Sequence, residues 1–395
     1  MFPFLRRYRN GRFLFYSMIQ NLPDNLNESA LPDLIVLIVF IVLYVARMLY
    51  LFLFPGKILF KKQVVKKTTA PVPLSLIMAI RNEEENLKKN LPRLLSLEKS
   101  DFEVVAVDDF SQDNSYTVLG VLKDKYKRLT ISALNEETRF STKLSQNIAL
   151  KSAKNDWVIL VPVSLNGISE EWLETFSKTI NNEMNIVTGY SGINRSKNIF
   201  NLLYRIENFF QQLKSTGYIL NHLPFVYSEE NIAFQKKMYF ENGGYGKNLN
   251  ELYANLELII NSFIEEKTTH VLFDRQSAIY KNIEVSRKDY FELLKKSFRI
   301  EKHLSKSKKL FLAADEWTKV LFIPSAIVAF FLNTELWPLF VIMFFLKLPA
   351  NLLIIKNIQD RLNERKIYVS SLIYDIVVPY IRIICKWHYH WRRRK

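Results

Sequence analysis

Two adjacent carboxylates end one of the most apolar stretches of the chain, and their position suggests a binding role. Asp108 and Asp109 close the stretch EVVAVDD at residues 103–109, and residues that favour turns and helix caps follow over 111–115. Desolvating two neighbouring carboxylates costs free energy unless donors bind them. The N–H and hydroxyl groups of a nucleoside would serve, and so would a network within the loop itself. The residues alone leave both interpretations open.

Two more polar corners follow strand-like stretches. PLSLIMAI at 73–80 leads into a helical pattern in which Glu83 and Glu84 stand at the helix start, where the helix dipole stabilises negative charge. DWVILVPV at 156–163 leads into the stretch SLNG. This third corner has no carboxylate between Asp156 and Glu170.

These corners belong to an alternation of strands and helices. Helical patterns at 83–97, 114–126 and 142–153 alternate with the apolar stretches. That alternation predicts an α/β fold with a mainly parallel sheet and helices on both faces, within a domain over residues 71–275. Ligands of such sheets bind beyond the carboxyl ends of the strands, so we expect the three corners to form one crevice.

The charge of the chain is strongly basic, at +16. Lys and Arg cluster beside apolar segments, as in the basic segment 1–33 and the tail 387–395, which is typical of the cytoplasmic flanks of membrane helices. No nucleic-acid-reading motif accompanies these charges, so no nucleic-acid partner is expected. The single cysteine, Cys385, excludes an internal disulfide and a cysteine metal cluster.

Apolar segments on both sides of the domain predict attachment to a lipid bilayer. Residues 34–54 are long enough to span it. A basic amphipathic region at 281–316 is predicted to lie on the membrane surface. Membrane segments are predicted over 318–386, where the stretch 367–386 carries Asp375, Pro379 and Arg382 and could form either a poor span or an interfacial helix.

The stretches PLSLIMAIRNEEENL and DFEVVAVDDFSQDNS together resemble the family-2 glycosyltransferases of the GT-A fold. TKLSQNIAL, which contains Lys143, resembles a helix start of that family. SEENIAFQKKMYFENGGYG at 228–246 is similar to its acceptor-side segment. The flanking apolar segments resemble a membrane-bound bacterial subgroup.

The resemblance implies transfer of a sugar from a nucleotide diphosphate sugar to an acceptor of the bacterial envelope. By position, Ile80, Glu83, Asp108 and Asp109 would frame the nucleoside, and Lys143 would lie near the pyrophosphate. It further implies a multi-pass protein of the bacterial inner (cytoplasmic) membrane with its α/β domain in the cytoplasm. Its partners would be the bilayer, a nucleotide or nucleotide sugar, and proteins of an envelope complex.

The resemblance also assigns residues on the acceptor side. Asn231 and Arg299 match acceptor-side positions, although Ile300 replaces the tryptophan of the family's Gln-x-x-Arg-Trp. The catalytic carboxylate would fall in NELYANLELII at 250–260, where Glu257 is the matching residue and Glu251 a displaced candidate.

The family's metal-binding Asp-x-Asp is replaced in this chain. Counting back from Ser169 and Trp172, which match the family's downstream residues, puts the two aspartates at Pro162 and Ser164. Neither residue can replace a carboxylate ligand of Mg²⁺ or Mn²⁺. The stretch Pro162-Val163-Ser164 therefore predicts no metal ligand and makes a divalent metal cofactor doubtful.

Three hypotheses follow from these observations. The chain is a membrane glycosyltransferase that is metal-independent or weakened, or a catalytically inactive relative that acts as a nucleotide-binding or scaffold subunit, or a membrane anchor without a ligand. Nucleotide binding separates the last hypothesis from the first two, and donor turnover separates the first from the second.

Overall fold

Ten strands form two sheets in the computed structural model, which describes residues 30–60, 70–98, 100–166, 168–252 and 255–392. The strands are β1 (Leu74–Ile80), β2 (Phe102–Asp108), β3 (Leu129–Ala133), β4 (Trp157–Leu160), β5 (Leu165–Asn166), β6 (Ile186–Thr188), β7 (Ser191–Ile193), β8 (Ile232–Gln235), β9 (Thr269–Val271) and β10 (Ile279–Lys281).

The helices surround these sheets and extend beyond them at both ends of the chain. They are α1 (Ala30–Leu51), which continues through a π-helical turn (Phe52–Gly56) into α2 (Lys57–Phe60), then α3 (Glu84–Leu95), α4 (Ser115–Lys125), α5 (Ser141–Ser152), α6 (Glu170–Thr179), α7 (Ile199–Ile219), α8 (Lys236–Glu241), α9 (Leu256–Phe263), α10 (Arg287–His303), α11 (Lys306–Leu332), α12 (Trp337–Leu362) and α13 (Tyr368–Arg392). Short 3₁₀ turns lie at Gly246–Asn248 and Thr334–Leu336.

The larger sheet has seven strands in the order β3-β2-β1-β4-β8-β6-β9. Its pairs are parallel except those made by β8, which runs antiparallel to both β4 and β6. In the smaller sheet β10 pairs with β5 and β7. The predicted α/β fold with a mainly parallel sheet is confirmed.

Both faces of the central strands are buried, as their continuous apolar sequence predicts. Along β1, Ile77 faces a core shared with α5, α7 and α9, whereas Leu76 and Met78 face a second core shared with α3 and α6. Strand β4 ends at Leu160, earlier than predicted, because Pro162 has no N–H to continue the ladder of hydrogen bonds.

The helices outside the α/β domain also differ in part from the prediction. Two of the described helices are long and apolar enough to cross a membrane, and they cover Leu31–Phe60 and Thr334–Leu362. The sequence predicts a boundary between an interfacial region at 281–316 and membrane segments at 318–386. Helix α11 runs across this boundary without a break, because the basic residues from Lys306 onwards belong to the same helix as the apolar residues that follow. The apolar face of α10 packs against α7 and α13.

Candidate functional site

The ends of β1 and β2 lie side by side and are bonded to one another. Ile80 pairs in register with Asp108, and the backbone N–H of Asp109 donates to the carbonyl of Ile80 over 2.7 Å. The loops beyond them also interlock, because the N–H of Glu83 donates to Ser115 Oγ over 2.9 Å. The structure thus brings together the four residues predicted to frame a nucleoside.

The two aspartates of this edge are buried, with exposed fractions of 4% for Asp108 and 2% for Asp109. Asp108 Oδ2 accepts the N–H of Ser111 over 3.0 Å. Asp108 Oδ1 has no hydrogen-bond partner within the described part of the chain. The loop satisfies the Asp108 carboxylate only in part, and the nucleoside site at this edge stays a prediction.

Backbone conformation at this edge is unusual in both loops. Asn82 and Phe110 have φ values of 55° and 56°, in the left-handed region that non-glycine residues rarely adopt. Each stands two residues after the end of its strand, so the two loops turn away from the sheet in the same manner. Strained residues of this kind cluster at ligand-binding sites, and surrounding contacts must hold them in place.

The three residues at the predicted metal position, Pro162, Val163 and Ser164, have no carboxylate, and each of their carbonyls accepts a hydrogen bond. The carbonyl of Pro162 accepts from the N–H of Leu165, that of Val163 from Asn90 Nδ2 over 2.8 Å, and that of Ser164 from the N–H of Asn282 over 3.0 Å. In addition, the described residues contain no group of three or more His, Cys, Asp or Glu that could hold a metal ion. The residues present at this turn therefore do not fit a divalent cation.

Lys143 has its ammonium group inside a ring of backbone oxygens. At the start of α5 its Nζ donates to the carbonyls of Asn248 and Leu249 over 3.0 and 3.1 Å, and to that of Glu251. Burial lowers the pKa of Lys143, although the neighbouring Glu257 and Glu251 oppose this shift. In this structure the lysine fastens the loop that precedes α9.

A buried carboxyl pair lies next to this loop. Glu257 is fully buried, and its Oε1 accepts the N–H of Asn255 and lies 3.2 Å from Lys296 Nζ. Glu229 Oε2 accepts the N–H of Leu256 over 2.7 Å. Burial and the charge of Glu257 raise the pKa of Glu229 to about 8. For Glu257, burial is opposed by the charge of Lys296 together with hydrogen bonds from Glu229 and the backbone, and these lower its pKa overall. The geometry keeps one carboxyl protonated and the other ionised.

Arg299 is paired with the other acidic candidate of the same loop. Its guanidinium contacts the Glu251 carboxylate, which also lies 3.5 Å from His303 Nε2. Arg299 is 2% exposed, and its Nε and Nη1 have no hydrogen-bond partner among the described residues. Glu251 is therefore an ion-pair partner of Arg299, and Glu257 is the partner of Lys296.

Asn231 lies in the core and connects three parts of the fold. Its Nδ2 donates to the carbonyls of Tyr190 and Ser277, each over 2.8 Å, and its Oδ1 accepts the indole N–H of Trp172 over 3.0 Å. With an exposed fraction of 0% and a φ of 57°, it occupies a position that Asn tolerates better than most residues. The geometry gives it a structural role, and a contact with the acceptor stays a prediction.

A polar cavity of about 450 Å³ lies beside the carboxyl pair. It is bounded by α7, by the segment before β8 and by α10, and its charged lining includes Glu230, Lys281 and Lys296. Lys281 Nζ lies 2.8 Å from Glu230 Oε1. Glu257 does not line this cavity but contacts two residues that do, Lys296 and Asn255.

Four charged residues of this region, Glu229, Glu230, Lys281 and Lys296, are absent from the sequence prediction. Two signals could have found three of them, and neither of these signals points to Lys281. Glu229 and Glu230 stand in the recognised stretch SEEN, and Lys296 lies three residues before Arg299 on α10, so that the two cations share one helix face.

Comparisons with known proteins agree with the fold. The family model described as Glycosyl transferase family 2 matches residues 75–240, a region that contains the β1 and β2 edge but neither Glu257 nor Arg299. A poly(ribitol-phosphate) beta-glucosyltransferase of Bacillus spizizenii is 27% identical over 124 residues, which are 31% of this chain and 19% of that protein. The match thus spans less than a fifth of the relative.

Two solved structures align with most of the chain. One is the mannosyltransferase PcManGT from Pyrobaculum calidifontis in complex with GDP-Man and Mn²⁺, with 13% identity, a TM-score of 0.48, and coverage of 86% of this chain and 99% of the other. The second is S. aureus TarS 1-349, with 16% identity, a TM-score of 0.40, and coverage of 82% and 92%.

Proposed function

Because residues 75–240 form a domain of glycosyl transferase family 2, we propose that the chain binds a nucleotide diphosphate sugar beyond the ends of β1 and β2 and transfers the sugar to an acceptor at the membrane. The observation that carries this proposal is the joined edge of the two strands. There, Asp108 and Asp109 are buried behind two loops with left-handed residues. A nucleoside would supply the donors that this loop network lacks.

The proposed reaction uses no divalent cation at the turn after β4. Each carbonyl of Pro162, Val163 and Ser164 already accepts a hydrogen bond. The charge of a leaving diphosphate would instead meet basic side chains. Arg81 is an exposed candidate at the mouth of the crevice, where it contacts Glu137.

The acceptor is proposed to enter the polar cavity beside Lys281 and Lys296. Burial alone would lower the pKa of Lys296, yet the charges of Glu257, Glu229 and Glu230 raise it overall, so this amine stays charged at the cavity wall. We assign Glu257 a positioning role through Lys296. Glu230 is the carboxylate of this cluster that faces the cavity, and it is the candidate to accept a proton from the acceptor.

Membrane attachment is part of the proposal. Helix α1 with its continuation to Phe60 and helix α12 have the length and composition of spans. Basic residues beside them favour a cytoplasmic location for the α/β domain and a bacterial inner membrane as its site, with envelope-complex proteins as possible partners. The relative from Bacillus spizizenii acts, by its name, on poly(ribitol phosphate).

A catalytically inactive, nucleotide-binding subunit is the second candidate function. It is favoured by the same turn at 162–164, and by Lys143, whose three carbonyl contacts keep its ammonium group from a diphosphate. Both candidates bind a nucleotide, and only the first consumes a nucleotide sugar.

The test is a calorimetric titration of the detergent-purified full chain with UDP and with GDP, each with and without Mn²⁺. We expect one nucleotide to bind with the same affinity in both conditions. Asp109→Ala should weaken binding by about tenfold or more, since hydrogen bonds to a charged group are worth about 1.5–3 kcal/mol. Ser164→Ala is the matched control and should bind like the wild type.

Each other result has a defined meaning. Tighter binding with Mn²⁺ contradicts the metal-independent reaction, and equal losses in the two variants contradict the position of the site. Absence of binding by both nucleotides overturns the proposal. A chromatographic assay for the release of UDP or GDP from nucleotide sugars then distinguishes an active enzyme, which releases it, from an inactive subunit, which does not.

A further inference from the structure

An apolar groove opens among the helices outside the α/β domain. It has a volume of about 510 Å³ and lies between α1, α11, α12 and α13, two of which are the candidate membrane spans. Its walls are aromatic and aliphatic, with Phe40, Phe322, Ala326, Phe330, Phe344 and Ile376 among them. A groove of this composition between membrane helices fits a hydrocarbon chain.

One end of this groove is polar. Lys347, Asn351 and Asp375 line it there. The Lys347 ammonium group lies 4.4 Å from the ring centroid of Phe322, and it forms no ion pair with any residue in the described ranges. Lys347 is partly buried, and a cation that is partly removed from water in an apolar groove would be stabilised by a bound anion.

The same three residues line a neighbouring cavity that contains more cations. Its lining includes Arg47, Lys214 and Lys319. All three surround Asp315, at 2.8, 3.0 and 3.2 Å respectively.

We call Arg47, Lys214, Lys319 and Lys347 the cationic cluster. The carboxylates of Asp315 and Asp375 lie among these four cations. Four cations and two carboxylates leave two positive charges in a largely buried place. The three carboxylates next to the cluster, Glu207, Glu301 and Glu316, pair with two cations, Arg382 and Lys386, so they offset one of these charges and one positive charge remains.

The cationic cluster adjoins a path towards the polar cavity of the α/β domain. Lys214 and Lys319 also line a third cavity, bounded by α7, α11 and α13. This third cavity shares Gln211 and Tyr227 with the polar cavity that holds Glu230 and Lys296. The path thus consists of neighbouring cavities that share lining residues, namely the groove, the cavity of the cationic cluster, the third cavity and the polar cavity proposed for the acceptor.

We propose that this path binds a membrane lipid with a phosphate head group. Its hydrocarbon chain lies in the groove, its phosphate lies beside Lys347 and Lys319, and the rest of its head group extends towards Lys296. The remaining positive charge, beside an apolar groove in which Lys347 has no ion-pair partner among the described residues, is complementary to such a lipid and to neither a neutral lipid nor a free sugar. That the lipid is the acceptor of the sugar rests on the proposed function, whereas its binding does not.

The experiment measures binding to the detergent-purified full chain by microscale thermophoresis, with three probes. The probes are dioctanoyl phosphatidic acid, dioctanoyl phosphatidylcholine and glycerol 3-phosphate, which has the head group without chains. We expect phosphatidic acid to bind at least about tenfold more tightly than the other two.

Two pairs of variants locate the site. Lys347→Gln should weaken phosphatidic acid binding about tenfold or more, whereas Lys356→Gln, exposed on the same helix, should leave it unchanged. Ala326→Phe fills the groove and should weaken binding of the same probe. Val328→Phe lies on the same helix, is 46% exposed and does not line the groove, so it should have no effect.

Three results overturn the inference. They are equal affinity for phosphatidylcholine, equal affinity for glycerol 3-phosphate, and equal affinities of the Lys347→Gln and Lys356→Gln variants. The nucleotide titration on the same samples keeps this test apart from the proposed function. Nucleotide binding without lipid binding removes only this inference, and lipid binding without nucleotide binding removes only the transfer reaction.

Discussion

Glu229 and Glu257 illustrate how two carboxyl groups in one buried place acquire different charges. Lys296 lies 3.2 Å from Glu257, which therefore ionises, while Glu229 meets the charge of Glu257 and the low polarity of the core. Two like charges so close cannot both be stable away from water. The proton that the pair retains makes the stability of the fold depend on pH.

The first prediction concerns the sign of that dependence. Between pH 4.5 and about 8 the folded chain keeps the Glu229 proton and the unfolded chain releases it, so stability falls as pH rises through this interval. Glu229→Gln should remove this decline, which is worth on the order of 3–5 kcal/mol at about 1.4 kcal/mol per pKa unit. Thermal unfolding of the detergent-purified chain from pH 5 to pH 8.5 measures it.

Glu230→Gln is the matched control for this prediction. Burial opposes the ionisation of Glu230, but the charges of Lys281 and Lys296 and the hydrogen bonds from Lys281 and Ser191 together lower the pKa of this carboxyl. Its contribution is therefore present above the unfolded pKa and lost on acidification. The control should be destabilised at neutral pH and should keep the decline of the wild type towards pH 8. Identical profiles of the two variants would refute the assigned protonation.

At the scale of elements, the central strands were predictable and the peripheral ones were not. β1, β2 and β4 are apolar on both faces, and the sequence shows them as continuous runs. β6, β7 and β9 have three residues each, too few for a period to appear. Helix α7 was missed because its buried side includes the polar residues Arg205, Glu207 and Gln211, which conceal the apolar stripe.

The candidate site also has parts that the sequence could predict and parts that it could not. The β1 and β2 edge could be predicted, since parallel strands bring their carboxyl ends together. The contacts of Lys143 could not, because its carbonyl partners lie more than a hundred residues away in an irregular loop. The carboxyl pair likewise assembles from separate segments at Glu229, Glu257 and Lys296, and no local pattern connects them.

The prediction at this scale concerns Asn231, whose side chain connects α6, the residue before β7 and the segment before β10. Asn231→Ala leaves the Trp172 indole N–H and the carbonyls of Tyr190 and Ser277 without their partner. An unsatisfied buried group costs about 1–3 kcal/mol, so we expect a loss of at least about 3 kcal/mol. Thermal unfolding of the purified variant should show a clearly lower midpoint.

Asn242→Ala is the control for this loss. Asn242 is exposed at the end of α8, and its Nδ2 donates only to the local Met238 carbonyl over 2.8 Å. Its removal should change stability by less than about 0.5 kcal/mol. A comparable midpoint for the two alanine variants would show that the Asn231 contacts contribute little.

At the scale of the whole molecule, charges as well as apolar contacts connect the terminal helices to the α/β domain. Ile355 and Ile358 of α12, and Val378 of α13, belong to the same core as β1 and α7. Arg382 of α13 also forms ion pairs with carboxylates on α7, α10 and α11. This attachment of α13 to protein is consistent with its absence from the candidate spans within the described ranges.

The prediction at this scale is that Arg382 holds α13 in place. Its guanidinium lies 2.6 Å from Glu207 on α7, 3.0 Å from Glu301 on α10 and 3.5 Å from Glu316 on α11. Arg382→Met leaves three largely buried carboxylates with less compensation, and breaking such a pair costs about 3–5 kcal/mol. The thermal midpoint should fall, and limited proteolysis should release the C-terminal helix earlier than in the wild type.

A double-mutant cycle distinguishes a specific network from a general loss of charge. Glu207→Gln alone should also destabilise the chain. In the Arg382→Met background it removes a carboxylate that has already lost its partner. The double variant should therefore lose less stability than the sum of the losses in the two single variants. Arg275→Met, at an exposed position, should have almost no effect. Strict additivity would mean that the two side chains act independently, and α13 would then owe its position to the shared apolar core alone.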